Sequence, residues 1–298
     1  MGIVFLLLSA GVFSFFGFSV LKTWKHMVAI GQGAEEFRAD NIAKRLSDVF
    51  IEGLLQKRMY KDFFAGLMHL VIFWGFFVVS LGTVETVISG VINSFSFRSL
   101  LGANNFLYAS YVVSQDFMNT AVALAVLYAI IRRAFFPPKR FLGLSKASKI
   151  DAYIVLSLIF GLVSTTLLYW GLKAVAYNEM QYLLIAPIIG KIFVTMGLSD
   201  ESLSVGSQIF WWIHVFILFA FTAFLPHSKH QHLIWVWPNI FFKSHKGTGR
   251  LRPMTFAEDA ESFGVGTAKE FTWKQFLDGM ACVECGRCTS VCPANATG

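Results

Sequence analysis

Long runs without charge dominate the hydropathy pattern of this chain. Residues 1–21 carry no charged side chain, Asp62 and Glu85 bracket 22 uncharged residues, and Asp151 and Lys173 bracket 21. Residues 202–228 contain no Lys, Arg, Asp or Glu. A weaker run, 117–131, reaches similar length once residues 107–116 are added as its less apolar start. A bilayer core of roughly 30 Å takes about 20 apolar residues of helix, so the pattern predicts five membrane-spanning helices. The first run has no basic stretch ahead of it and no small-residue cleavage pattern after it. It therefore reads as a retained span and not as a secretory signal.

The connections carry shorter signals. Phe50, Ile51, Leu54 and Leu55 lie at helical spacing and predict a partly helical, amphipathic first loop. Pro137 and Pro138 close the third span. Residues 180–190 are apolar but include Pro187 and are too few to cross, which predicts an interfacial or re-entrant piece. From 238 to 267 the chain turns polar and glycine-bearing, as a linker does, and residues 271–280 predict a short helix. The domains expected are a membrane part at 1–237, a linker at 238–267 and a cysteine-bearing segment at 268–298.

Composition agrees with this picture: 55% of the 298 residues are hydrophobic, 32 of them Phe, and only 14% are charged. The placement of basic residues adds an orientation, because Lys and Arg are retained on the cytoplasmic side. Eight lie at 22–62, six at 132–150 and eight from Lys229 onward, against one and two in the other connections. The expectation is an N-terminus outside and a C-terminus inside, in a bacterial or archaeal cytoplasmic (inner) membrane. The net charge of +7 is then a topology signal and implies no nucleic-acid partner.

The four cysteines of the chain, Cys282, Cys285, Cys288 and Cys292, form a C-x2-C-x2-C-x3-C-P run closed by Pro293. That spacing is the one bacterial ferredoxins use for a [4Fe–4S] cluster, with short gaps that aim several thiolates at one cubane. Zinc knuckles also use C-x2-C, but two of them are usually separated by about a dozen residues or more. No cysteine is left over for a disulfide, which fits a cofactor site in a reducing compartment.

Ionisable groups at membrane depth are costly and mark function. His69 falls at the start of the second span. His214 and His232 are eighteen residues apart, five turns of a continuous helix, and so would share one face about 27 Å apart along the axis. Two imidazoles facing each other between bundle helices are what a bis-histidine haem requires, which singles out His69 and His232 at one depth. His230 is the alternative to His232. His26, His227 and His245 read as interfacial or loop residues. His214, Glu85 and Asp116 are the protonatable groups near the opposite ends of the spans, where a quinone headgroup would need one. The aromatic residues of spans two and five read as packing or lipid-facing material.

On these residues the chain resembles the nitrate reductase gamma-subunit type of cytochrome b. The pattern H-x11-P-x-[ST]-[KR]-x2-H is met by His214, Pro226, Ser228, Lys229 and His232, and the family's first ligand on helix two corresponds to His69. Its second ligand there falls on Val79, so His214 lacks a counterpart and belongs either to a second haem or to a quinone site. With its cysteine run, the whole chain is similar to fused membrane iron–sulfur oxidoreductases related to heterodisulfide reductase and to electron-transfer-flavoprotein:menaquinone oxidoreductase. The stretches 40–45, Gly66–His69 with Phe73–Gly75, Ser228–His230 and 271–276 carry this likeness.

The resemblance implies an all-α membrane protein, a five-helix bundle followed by the start of an α-helical ferredoxin-like module. It implies a [4Fe–4S] cluster, haem b (one, or two if His214 is a ligand) and menaquinone. The partners implied are lipid, quinone and a cytoplasmic electron-transfer protein, with electron-transfer flavoprotein as donor. Reverse flow from menaquinol to a disulfide substrate is the neighbouring function; a non-catalytic membrane anchor, or a transporter with an iron–sulfur sensor, are different classes. Members of the group continue into a second cysteine motif and cysteine-rich domains, so the sequence reads as an N-terminal portion. In two-cluster modules the fourth cysteine ligates the other cluster. Either the four cysteines hold one cluster, or the chain carries half of a two-cluster module.

Overall fold

The computed structural model describes residues 2–31, 38–179, 181–246 and 265–297. In chain order the helices are α1 (Gly2–Ile30), α2 (Ile42–Asp48), α3 (Phe63–Val91), α4 (Phe97–Leu101), α5 (Phe106–Phe135) and α6 (Lys146–Ala176). There follow α7 (Ala186–Thr195), α8 (Asp200–Phe224), α9 (His232–Phe241), α10 (Trp273–Met280), α11 (Arg287–Ser290) and α12 (Pro293–Ala296). No extended strand occurs among the described residues.

Among the described residues, five helices are long and apolar enough to cross a bilayer: α1, α3, α5, α6 and the segment Asp200–His227. At 1.5 Å per residue, even 25 residues exceed a hydrocarbon core of about 30 Å. Only 17–22% of their most apolar windows is buried within the protein, so most of that apolar surface faces outward. Water would not tolerate so much of it. The chain is a membrane protein built from helices, as its charge-free runs predict.

The chain divides into two compact units. The first comprises residues 1–15, 61–224 and 286–298. Here α6 packs against α5, α7 and α8, while α3 packs against α5. One core patch joins Phe5 of α1 to Val215, Leu218 and Phe219 of α8; another joins Val122 and Val126 of α5 to Val163 of α6. Helices α6 and α7 meet at glycines: a Cβ on Gly171 would collide with the Ala186 carbonyl, and one on Gly190 with the Gly171 carbonyl. Small residues let backbones approach closely where lipid supplies no hydrophobic drive.

With 10 residues, α7 is too short to cross, in keeping with the expected interfacial or re-entrant piece. The N–H groups leading into it are met by a carboxylate 68 and more residues away in sequence. Asp116 Oδ2 accepts the N–H groups of Leu184 (2.7 Å) and Ile185 (2.6 Å), and Oδ1 accepts that of Ala186 (2.9 Å). Orphan donors at a helix start need such a partner, and a negative charge there also suits the helix dipole.

The second unit comprises residues 16–60 and 225–285. Met27 of α1, Trp235 of α9 and Leu277 of α10 form its core. Arg45 of α2 is buried and ends α9: its Nη1 donates to the carbonyls of Phe241 (2.8 Å) and Lys243 (3.0 Å), and it pairs with the Asp40 carboxylate. The expected amphipathic loop helix is α2 followed by a wider π-helical turn, Val49–Leu54. There Gly53 is buried while Phe50, Ile51 and Leu55 are exposed. The helix α9 runs through Pro238 to Phe241, so the polar linker begins beyond it, and most of 238–267 lies outside the described residues.

One expectation is overturned. His214 and His232 do not share a continuous helix: α8 ends at Phe224, two 3-10 turns follow, and a new helix starts at His232. Pro226 has no N–H to continue the ladder. Ser228 then takes an extended conformation, and its hydroxyl accepts the His230 N–H at 3.1 Å. The same-face argument for the two histidines therefore fails.

Candidate functional site

In the first unit, a cavity of about 530 Å³ opens among the C-terminal parts of α3 and α6, the N-terminal part of α5 and the middle of α8. Its polar wall is assembled from named bonds. Glu85 of α3 accepts the Tyr111 hydroxyl at 2.5 Å through Oε2 and the Phe97 N–H at 2.7 Å through Oε1. One carboxylate thus fixes the start of α4 and orients a phenol of α5. Lys173 of α6 donates to the Tyr169 hydroxyl at 3.4 Å and has no ion-pair partner among the described residues. At the rim Arg98 pairs with Glu179 at 3.0 Å. Tyr108, Tyr111, Trp170 and Trp211 supply flat apolar faces.

His214 also lines this cavity and is otherwise buried. Its Nδ1 lies 3.1 Å from the Leu162 carbonyl and 3.2 Å from the hydroxyls of Thr165 and Thr166. Both threonines spend their own protons on carbonyls of the preceding turn. The hydrogen-bond network therefore assigns the proton to Nδ1, donated to Leu162, and leaves Nε2 with its lone pair. A nitrogen held this way can accept a quinol O–H or ligate a metal.

Asp116 is not part of that wall. Its carboxylate accepts the Leu184 and Ile185 N–H groups just before α7 and the Ala186 N–H that opens it. The charge and motif pattern of the sequence does not mark Tyr111 or Lys173. A signal for Tyr111 existed: Tyr108, Tyr111, Gln115 and Asn119 recur every three or four residues, a polar stripe on an apolar helix.

His69 lies in the second turn of α3, half-buried and stacked on Phe73 at 6.5 Å between ring centroids. In the second unit, His232 opens α9, and its Nδ1 lies 3.1 Å from the Lys229 carbonyl. Donation there would leave Nε2 for a ligand, the arrangement metal-binding histidines use. Burial pulls the His232 imidazole below its ordinary value, against the opposing pull of the Lys229 carbonyl, and so favours the neutral form that ligates. His230 sits edge-on to it, 5.2 Å between ring centroids. His26 and His227 are exposed, and His245 bonds Asp48 at 2.8 Å.

Cys282, Cys285 and Cys292 lie in irregular backbone, and Cys288 lies in the short helix α11. Glu284 has φ 50° and Gly286 φ 71°, and the Glu284 N–H donates to Cys282 Sγ at 3.3 Å. Gly286 precedes α11 and Pro293 opens α12, so turns bracket Cys285, Cys288 and Cys292. All four thiols are free. In number, type and sequence spacing they suit a cubane; among the described residues no three His, Cys, Asp or Glu side chains converge as a metal-binding group.

Comparison with known proteins adds context. The chain is 33% identical over 299 residues to the "Probable iron-sulfur-binding oxidoreductase FadF" of Bacillus subtilis, matching 99% of this chain and 40% of that protein. It is 31% identical over 304 residues to the "EtfAB:quinone oxidoreductase" of Syntrophomonas wolfei, again 99% of this chain and 40% of the relative. A third relative, the "Probable membrane-anchored ferredoxin" of Chromohalobacter salexigens, is 41% identical over 82 residues, 26% of this chain and 12% of that one. The chain thus spans about two fifths of the length of the first two. No family model matches, and no solved structure is significantly similar.

Proposed function

We propose that this chain is the membrane portion of an iron–sulfur oxidoreductase that passes electrons between a soluble flavoprotein and a quinone. The observation that carries the reading is the pairing of a four-thiol run with a cavity holding His214, Glu85 and Tyr111 within a membrane bundle. The names of the two long relatives support it: one as an iron–sulfur-binding oxidoreductase, the other as acting between EtfAB and quinone. Cys282, Cys285, Cys288 and Cys292 would hold a [4Fe–4S] cluster, and His69 and His232 would be the axial ligands of a b-type haem. These groups supply one-electron carriers. Menaquinone is the quinone the family resemblance implies, and the Lys and Arg distribution puts the cysteines on the cytoplasmic side.

The chain's own residues do the rest. The aromatic faces of the cavity take a planar headgroup. His214 Nε2 accepts the hydroxyl of a quinol, or, once protonated, donates to a quinone carbonyl. One imidazole on the wall supports a quinone over a bis-histidine haem there. Reconstituted membrane-inserted protein tests the assignment by difference spectroscopy. A b-type absorption band is expected that disappears in His69→Ala and in His232→Ala and survives His214→Ala. Loss of the band in His214→Ala alone would transfer the haem to the cavity and remove the quinone from it. Thiol-disulfide turnover with menaquinol as donor, without flavoprotein oxidation, would favour the disulfide reductase alternative.

A further inference from the structure

Glu85 and Tyr111 form a bonded pair inside the cavity, and the cavity also reaches the half-exposed Arg98–Glu179 pair at its rim. We propose that Glu85 and Tyr111 are a two-step proton relay from the cavity mouth to one oxygen of the quinone. The proposal rests on the cavity being the quinone site. Its basis is geometric. Tyr111 is held by ring contacts to Phe97 at 5.0 Å and Trp170 at 6.4 Å. Glu85 is held by the Phe97 N–H. The Tyr111 hydroxyl donates to Glu85 in this structure, so the relay needs only that O–H to turn toward the quinone while the ring and the carboxylate stay in place.

Reduction of a quinone to quinol takes two electrons, here from the reduced flavoprotein-class donor, and two protons. In the relay a protonated Glu85 gives its proton to the Tyr111 oxygen as the Tyr111 O–H proton passes to the quinone oxygen. The carboxylate is then reprotonated from water at the mouth. The second oxygen takes its proton from His214 Nε2, which is recharged from the same water. Tyr111 touches the substrate; Glu85 acts through it. The other titratable or charged groups on the wall are Tyr108, Arg98, Tyr169, Lys173, Glu179 and His214.

The test uses the full chain in lipid nanodiscs with Glu85→Gln, Tyr111→Phe, the double variant and Glu85→Asp. Menadione binding is read by quenching of tryptophan fluorescence, since Trp170 and Trp211 line the cavity. Reoxidation of the dithionite-reduced chain by menadione is followed by stopped flow from acid to alkaline pH. Glu85→Gln and Tyr111→Phe are expected to quench within about twofold of wild type yet react about 100-fold more slowly, the usual weight of positioned proton transfer. The pH profiles of the two variants should coincide with each other and differ from that of the wild type. The double variant should be no slower than either single, and Glu85→Asp should recover part of the rate. Unchanged rates with intact quenching, multiplying effects in the double variant, or loss of quenching in the variants alone would each overturn the relay. Absence of quenching in the wild type would overturn the quinone site itself.

Discussion

Replacing Asp116 with alanine removes a buried carboxylate that receives three backbone N–H groups at 2.6–2.9 Å. Loss of a side-chain cap costs about 0.5–2 kcal/mol, and each buried donor left unpaired about 1–3 kcal/mol. With some relaxation of the turn before α7, the sum comes to about 3–5 kcal/mol. At about 2 °C per kcal/mol for a chain of this size, the midpoint of thermal unfolding should fall by about 6–10 °C. Asp116→Asn is the informative companion. Its one carbonyl oxygen can keep the Leu184 and Ile185 bonds, but its amide must face the Ala186 N–H, so about half the loss is expected. The assay is thermal unfolding in detergent, with proteolysis of the 177–186 segment as a local probe. If alanine leaves both midpoint and proteolysis unchanged, or if asparagine costs as much as alanine, the capping argument is wrong.

Other consequences follow from packing and charge. Gly171→Ala should lower stability by about 1–3 kcal/mol, because the added methyl meets the Ala186 carbonyl backbone; Gly190→Ala should do likewise, and the pair should be non-additive. Equal unfolding midpoints for wild type and variants would refute this. The Asp48 carboxyl is held below its usual value by the hydrogen bond from Lys243, against the cost of burial and with help from His245. That tie is present above the ordinary carboxylate value of about 4 and is lost as pH falls through the lowered one. Acidification should therefore loosen residues 42–54 to protease more steeply in wild type than in Lys243→Met, and parallel pH profiles would contradict it. Arg45→Met should expose the end of α9 to hydrogen exchange, since two carbonyls lose their donor; unchanged protection there would count against it.

The five spans were legible because burying charge in hydrocarbon is so costly that charge-free runs betray them. The helices extend beyond those runs, α1 to Ile30 and α6 back to Lys146, since apolar patterning marks the hydrocarbon core and not the helix. The break after Phe224 was not legible. Pro226 was visible, but whether a helix bends or stops there depends on where Ser228 finds a partner. Asp116 shows the same limit: a carboxylate at membrane depth looks functional until the donors near residue 185 come to it. Tyr111 is not legible as a site residue, because an aromatic residue in a span reads as packing and only its bond to Glu85 sets it apart.

The most direct test of the electron path is electron paramagnetic resonance on the iron-loaded, membrane-inserted chain, reduced with dithionite and mixed anaerobically with menadione. The account predicts a reduced-cubane signal that needs Cys282, Cys285 and Cys288 and disappears when the quinone is added. In His214→Ala the signal should form normally but persist after mixing. A cluster that forms and ignores the quinone in the wild type, or a chain that binds zinc in place of iron, would contradict it.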